Sequence, residues 1–569
     1  MNSQINPDIA AIPFSRWGSY LAISQLAGEK HARTGLPAGL WLRSVHGAAA
    51  SEVMLLELIA NGAPVAGEVS RTASVLTLHH RHGRVEICLP TAHTVRLRVR
   101  GVTLRLTARP FRNHVAIPEP GGHWIFNMAA NYRSYRLVPL AGTFTVDAPW
   151  QGQQCTHMIA ELTPAGNAAA ELAIEELSWA RPAQDHSGNF DVLAQNVQAE
   201  FDAFCRPFLR CAAPLRDAAA AAAYLDWSSV VHPLGNLKRP AMLMSKNWMT
   251  NVWAWDHAFN AWAVALTDRD LAWDQFMIMF DHQDENGQIP DYINDVRLLT
   301  CFVKPPIHGW ILTRMMELTG SLPPERLAQA YDVLSQWTDW WFTYRNPDRD
   351  GLPVYWHGND SGWDNCTVFA VPLPLKAADL AAFLVVQMDA LADFAAKLGR
   401  PAESANWRRR ADATLQALIT TLWDGTKFRC LSTITRKAAA PSDSVFGCLP
   451  IILGQRLPIE IRKALVTEIK RHLTAWGPAT EHPSSPVYEP DGYWRGPIWA
   501  PSTMILVDGL RAAGETELAR DIAGRFCKLC VKSGFAENFD ALTGAPLRDR
   551  GYTWTSSVFL VLANRYLTA

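Results

Sequence analysis

The chain has 569 residues, with 53 Lys+Arg against 54 Asp+Glu, a formal net charge of −1 and 49% hydrophobic residues. This balance provides no basic field for a phosphate backbone or an anionic lipid surface, so neither nucleic acid nor membrane is an expected partner. The length exceeds one ordinary core and predicts two domains. The start, MNSQINPDIAAIPFSRW, lacks the basic region and continuous apolar core of a secretory leader. No later run of uncharged apolar residues reaches the roughly 18 needed to span a bilayer. A soluble, cytoplasmic protein is the expectation, and homo-oligomerisation is left open.

Residues 1–180 predict an N-terminal β-sandwich domain. SEVMLLELIA, RVEICLP, TVRLRVRGVTLRLTARP and YRLVPLAGTFTV are short, partly alternating runs rich in Val, Leu, Thr and Arg, separated by Gly, Pro or Asn. LHHRHG at 78–83 lies between two such runs and contains a turn glycine, so it reads as a polar hairpin tip rather than a metal tract. RPAQDHSGNF at 181–190 has no periodicity and reads as a linker.

From 191 to 569 apolar residues recur every three to four positions in long segments. Inner-type helices are expected to begin near 256, 306, 377, 443, 498 and 553, each entered from a long irregular segment. Second helices follow near 270, 323, 403, 459 and 515 after short connections, and a helical segment before 229 supplies one more outer partner. Six inner and six outer helices predict an (α/α)6 barrel. Long loops then all open at one end of it, where a concave site would lie.

The ten cysteines are scattered in dissimilar contexts and do not form a disulfide framework. Cys527 and Cys530 make one CKLC on an expected helix with no second pair to complete zinc ligation, so core packing is the reading. No EF-hand spacing occurs, and neither a metal nor a cofactor is expected.

Two loop strings carry the chemistry. GNDSGWDN contains Asp364, and FAENFDALTGAP contains Glu537. Glycosidic cleavage needs a protonated carboxylic acid at the leaving oxygen and an ionised carboxylate that activates water or attacks. Trp363 precedes Asp364, and an aromatic wall would raise that carboxyl's pKa and suit it to be the acid. Glu537 lies beside Asn538, which suits a carboxylate that stays charged. Asp360 is the main rival for the acid, and Glu489 and Asp540 are rivals for the base. Among 23 tryptophans, Trp248, Trp253, Trp255, Trp356, Trp363, Trp494, Trp499 and Trp554 lie in or beside the long loops, where flat rings can face the C–H surfaces of sugars.

WAWDHAF at 253–259, DHQDENGQIPDYIND followed by KPPIHGW between 281 and 310, GNDSGWDN at 358–365, and YWRGPIW at 493–499 followed by ENFDALTG occur in this order. Together they resemble glycoside hydrolase family 63 and its relatives, the trehalases and the mannosylglycerate and glucosylglycerate hydrolases. The resemblance covers the C-terminal two thirds. It implies an inverting mechanism with Asp364 as general acid and Glu537 as general base, although Phe539 and Ala541 stand where relatives often have Tyr and Pro. It places Asp256 against the hydroxyls of the nonreducing sugar, with Trp255 stacking nearby. The substrate-binding set expected here is Trp255, Asp256, Gln283, Glu285, Lys304, His308, Gly362, Trp363, Trp494, Arg495 and Trp554. Gln283, Glu285, Asn286, Gln288 and Asp291 read as one pocket wall. Lys304 or Arg495 is the expected counter-charge for an anionic aglycone, and Asp491 or another loop acid the alternative partner for Arg495.

The function expected is an inverting, exo-acting α-glucosidase on short α-glucosides. A mannosylglycerate- or glucosylglycerate-type hydrolase is the alternative. A sugar isomerase or epimerase, a phosphorylase and a noncatalytic glycan-binding protein are the readings from other classes.

Overall fold

The computed structural model describes residues 8–26, 36–47, 50–179 and 184–567. Residues 181–183 of the expected linker lie outside the described residues.

Two antiparallel sheets fill the N-terminal part. One runs, in order of pairing, through Leu21–Leu26, Gly39–Ser44, Glu52–Ala60, Thr103–Ala108, Ile159–Thr163 and Thr143–Asp147, with Ala63–Val65 added beside Glu52–Ala60. The other runs through Val115–Pro118, Trp124–Met128, Arg133–Ala141, Ala170–Leu177, Thr94–Arg100, Gly83–Thr91, Leu76–His80 and Glu68–Arg71. Strand Thr103–Ala108 shows why: Leu104, Leu106 and Ala108 are buried while Thr103, Arg105 and Thr107 are half-buried, so alternate residues feed the core. Val53, Leu56 and Leu58 of the first sheet join Val85, Ile87 and Leu97 of the second in one apolar cluster. His80 pairs with Gly83 across a two-residue turn, so the LHHRHG tract is the tip of a hairpin.

The helices begin close to where periodicity places them. Asp256–Val264, His308–Thr319, Ala378–Lys397, Ala500–Ala513 and Thr553–Val561 are α-helices, and Val445–Arg456 is 3-10. Pro450 inside that segment has no N–H to donate, and Gly454 takes φ +53°, which together explain the departure from an α-helix. These six elements pack neighbour to neighbour in a closed ring, 256 against 308, 308 against 378, 378 against 445, 445 against 500, 500 against 553, and 553 back against 256. Arg216–Ser229, Arg269–Met277, Pro324–Tyr344, Pro401–Leu422, Ile459–Arg471 and Thr516–Ser533 pack against ring members from outside. Cys527 and Cys530 are buried free thiols on the last of these.

Three small sheets, invisible to periodicity because every strand is two residues long, organise the loops leading into the ring. Val252–Trp253, Tyr292–Ile293 and Leu298–Leu299 form one. Val354–Tyr355, Leu375–Lys376 and Leu431–Ser432 form the second, and Ile498–Trp499, Asn538–Phe539 and Pro546–Leu547 the third. Each ties together the segments entering two consecutive ring elements, so the long loops are pinned in pairs. Among the described residues, no helix is long and apolar enough to cross a membrane.

Candidate active site

A cavity of about 460 Å³ opens among these loops, lined by Trp253, Tyr292 and Leu299 of the first small sheet and by residues of the loops around the other two. Asp364 and Glu537, 173 positions apart in sequence, both line it, as do Trp255, Asp256, Lys304, Gly362, Trp494 and Trp554. Its buried end carries Trp255, Asp256, Trp494, Tyr552 and Trp554; Met249, Trp253, Tyr292, Leu299 and Phe302 are half-buried and His357 is exposed, which marks the mouth.

Asp364 is placed by its own loop. Gly362 adopts φ +73°, and a Cβ there would lie 2.4 Å from the Trp255 ring, so only glycine lets the chain turn beneath that indole. A Cβ on Gly358 would lie 2.1 Å from the Asp364 carbonyl oxygen. Asp360, the rival acid, is fully buried and accepts from Val303 N–H at 3.2 Å, Trp356 N–H at 2.9 Å and Arg345 at 2.7 Å. It is the anchor of the loop and does not line the cavity. Burial raises the pKa of Asp364, the neighbouring Asp291 adds to the rise, and Lys304 opposes it.

Glu537 is placed by distant residues. It is 5% exposed, and burial together with the nearby Asp549 pushes its carboxyl up to about 7, while hydrogen bonds from Asp549 N–H and Tyr493 pull the other way. The expectation that Glu537 stays charged while Asp364 alone is raised is therefore corrected: burial raises both carboxyls. A pKa near neutrality is where a general base works best. Tyr493 sits at φ +64°, a conformation uncommon for a non-glycine residue and enriched at functional sites. Glu489 pairs with Arg495 at 2.6 Å, and Asp540 accepts from Leu542 N–H at 2.8 Å and Thr543 N–H at 2.7 Å in its own turn. Neither rival lines the cavity.

Two more acids face the space. Asp256 is the first residue of its helix and makes no side-chain cap; Trp255 occupies the cap position. Tyr552 donates to Asp256 at 3.4 Å, and burial pushes the Asp256 carboxyl up to about 8. Asp291 pairs with Lys304 at 2.6 Å, and Lys304 also donates to the Asn359 carbonyl at 2.6 Å. Lys304 is thus the cation holding the acidic wall together. The indole of Trp494 stacks on Trp499 with ring centroids 4.0 Å apart, and Trp363 lies 4.6 Å from Trp494 behind the cavity lining.

Five expected binding residues do not line the cavity. Gln283 donates to the carbonyls of Gly287 and Val333 and so fastens a loop to a helix. Glu285 is exposed. His308 is fully buried against the rings of His257, Phe276 and Phe280. Trp363 backs Trp494, and Arg495 turns to Glu489. Tyr493, Tyr552, Asn359, His357 and Phe302 were not anticipated. Tyr493 opens the YWRGP string and Tyr552 immediately precedes a ring helix, so their positions beside recognised segments were the available signal.

The family model described as the mannosylglycerate hydrolase MGH1-like glycoside hydrolase domain matches residues 249–555, a span that contains all the strings above. The chain belongs to this family. It is a glycoside hydrolase of the family 63 type. A mannosylglycerate hydrolase of Thermus thermophilus is 22% identical over 395 residues, covering 54% of this chain and 93% of that protein. A glucosylglycerate hydrolase of Mycolicibacterium hassiacum is 23% identical over 441 residues, covering 60% of this chain and 96% of that one. The crystal structure of a family 63 mannosylglycerate hydrolase from Thermus thermophilus in complex with glucose superposes with a TM-score of 0.52 at 21% identity, over 61% of this chain and 99% of that one. At that identity the likeness is one of fold.

Proposed function

We propose that this glycoside hydrolase removes a single hexose from the nonreducing end of a small α-linked glycoside with inversion, Asp364 acting as general acid and Glu537 as general base. The observation carrying this reading is that these two carboxyls, alone among the rival pairs weighed, share one indole-walled cavity. The ring of six elements with six helices outside it is, on this reading, an (α/α)6 barrel whose loop end is the site. On the same reading the chain divides into an N-terminal β-sandwich domain, 1–180, and a catalytic domain, 191–569. Asp364 gives its proton to the leaving oxygen. Glu537, steadied by Tyr493, takes one from water on the opposite face, and Asp256 with Tyr552 orients hydroxyls of the sugar at the buried end. Inversion requires carboxyls about 6.5–9.5 Å apart with substrate bound, against about 5–5.5 Å for a covalent mechanism. Ten unpaired cysteines fit a reducing, cytoplasmic setting.

A glycosylglycerate is the first substrate class on this reading, because the related proteins are named mannosylglycerate and glucosylglycerate hydrolases. A short α-glucoside with an uncharged aglycone is the second. It is favoured by the mouth of the cavity, where Met249, Trp253, Tyr292, Leu299 and Phe302 are apolar or aromatic, and by the commitment of Lys304 to Asp291 and of Arg495 to Glu489. Comparing kcat/KM on glucosylglycerate, mannosylglycerate and neutral α-glucosides decides between them. Binding without turnover across the whole panel would point to a glycan-binding protein, and stimulation by inorganic phosphate to a phosphorylase.

A further inference from the structure

The base is held from behind by a residue that the reaction itself does not require. Asp549 is 4% exposed. Its carbonyl accepts the Glu537 N–H at 2.7 Å, and its own N–H lies 3.5 Å from Glu537 Oε2. Arg548 just before it sits at φ +63°, so the chain turns back sharply at this point. The Asp549 carboxylate accepts four donors: Ser245 Oγ at 2.6 Å and Trp248 N–H at 3.2 Å on Oδ2, Asn247 Nδ2 at 3.2 Å and Gly551 N–H at 3.1 Å on Oδ1.

Three of those donors belong to residues 245–248, and this segment is fixed by the N-terminal part of the chain. Arg43, fully buried in its strand, donates to the Lys246 carbonyl at 2.9 Å and the Asn247 carbonyl at 2.7 Å. Lys246 donates to Ser15 Oγ at 3.0 Å, and Asn247 to the Ala11 carbonyl at 2.6 Å. A Cβ on Gly551 would lie 2.5 Å from that same Ala11 oxygen, so the base loop and the N-terminal segment touch backbone to backbone.

We propose that Asp549 is the positioning residue of the base Glu537, and that the strand carrying Arg43 fixes it through residues 245–248. The N-terminal sheets are then part of what aims the water-activating carboxylate. This inference rests on Glu537 being the base. Besides Asp549, the titratable or charged groups acting on Glu537 include Tyr493, Arg548 and Tyr552, with Asp364, Asp256, Asp291, Lys304 and His357 lining the same cavity, and all of these remain when Asp549 is changed. Asp549 is the neighbour whose negative charge raises the Glu537 pKa, so Asp549→Asn, which keeps the shape and removes the charge, tests the role directly.

The pH dependence of kcat/KM is measured on whichever of glucosylglycerate, mannosylglycerate or a neutral α-glucoside the full-length wild type hydrolyses. Asp549→Asn is expected to move the acid limb to lower pH and to reduce kcat by about 10- to 100-fold, as misplacing a reacting group does. Ser245→Ala, which removes one donor and leaves the charge, is expected to reduce kcat severalfold with the limb and KM in place, and it carries the test if Asp549→Asn does not fold. Arg43→Lys with wild-type kcat would overturn the link to the N-terminal strand. An unmoved limb and unchanged kcat in Asp549→Asn, or a Ser245→Ala variant indistinguishable from wild type, would overturn the positioning role. If Glu537→Gln is inactive while Asp549→Asn behaves as wild type, only this inference falls; if Glu537→Gln is active, the base assignment itself falls.

Discussion

The Asp364 loop and the Glu537 loop deliver their carboxyls to one cavity at different depths. Asp364 is half-buried, and its loop is built around two glycines that tolerate close contact and a buried Asp360 that gathers three donors, Trp356 N–H from the loop itself and Val303 N–H and Arg345 from earlier in the chain. Glu537 is almost wholly enclosed and depends on Asp549, Tyr493 and, behind them, residues hundreds of positions earlier in the chain. On the proposed roles, the carboxyl nearer solvent is the one that would meet the leaving group. The enclosed seat of Glu537 suits the base proposed for it, and that seat draws on residues from the whole fold.

Breaking either carboxyl gives the largest effect. Asp364→Asn and Glu537→Gln should each lower kcat by about 10³-fold, the size expected when a positioned acid or base is lost, and a variant retaining a tenth of wild-type turnover would remove that residue from the pair. Next comes the anchor of the Asp364 loop. Arg345→Met leaves Asp360 charged and unpaired in the interior, which should cost about 3–5 kcal/mol in a denaturant melt; a loss below about 1 kcal/mol would show that Asp360 does not hold the loop. Gly362→Ala combines a positive φ with a clash against Trp255. It should lower kcat/KM by about 100-fold through displacement of Asp364, measured beside a melting curve that stays cooperative.

The smallest effect separates the two carboxyls thermodynamically. The folded pKa of Glu537, about 7, lies above the ordinary value of 4.5, so the native state binds its proton more tightly than the unfolded chain does. Stability is then lost as pH rises from about 4.5 to about 7, and above that the burial cost acts in full. Glu537→Gln should therefore stabilise the protein at pH 8, by at most about 3 kcal/mol at 1.36 kcal/mol per unit, and by little at pH 4. A variant less stable than wild type at pH 8 would contradict the burial argument.

The ring helices could be read in the sequence because their apolar periodicity is long, and the two cavity-lining strings because a carboxylate clusters with glycine and an aromatic residue within a few positions. The three small sheets could not, since two-residue strands carry no period. Gln283, Glu285 and Arg495 were misplaced because polar residues crowded in a loop look alike whether they face a cavity, solvent or a neighbouring helix. Asp549 and the 245–248 segment gave no signal, because the contact joining them to Glu537 exists only after the N-terminal sheets and the ring have come together. Val445–Arg456 was correctly located as a helical element, but its 3-10 geometry follows from Pro450 and Gly454, which the apolar pattern hides.

Proton NMR of the sugar released in the first minutes of hydrolysis tests the central claim most directly. With α-linked glucosylglycerate, mannosylglycerate and short α-glucosides as the panel, the account predicts that the β-anomer of the released hexose appears first and mutarotates later, and that neither Asp364→Asn nor Glu537→Gln produces it. An α-anomer appearing first, or turnover surviving in either variant, would contradict it.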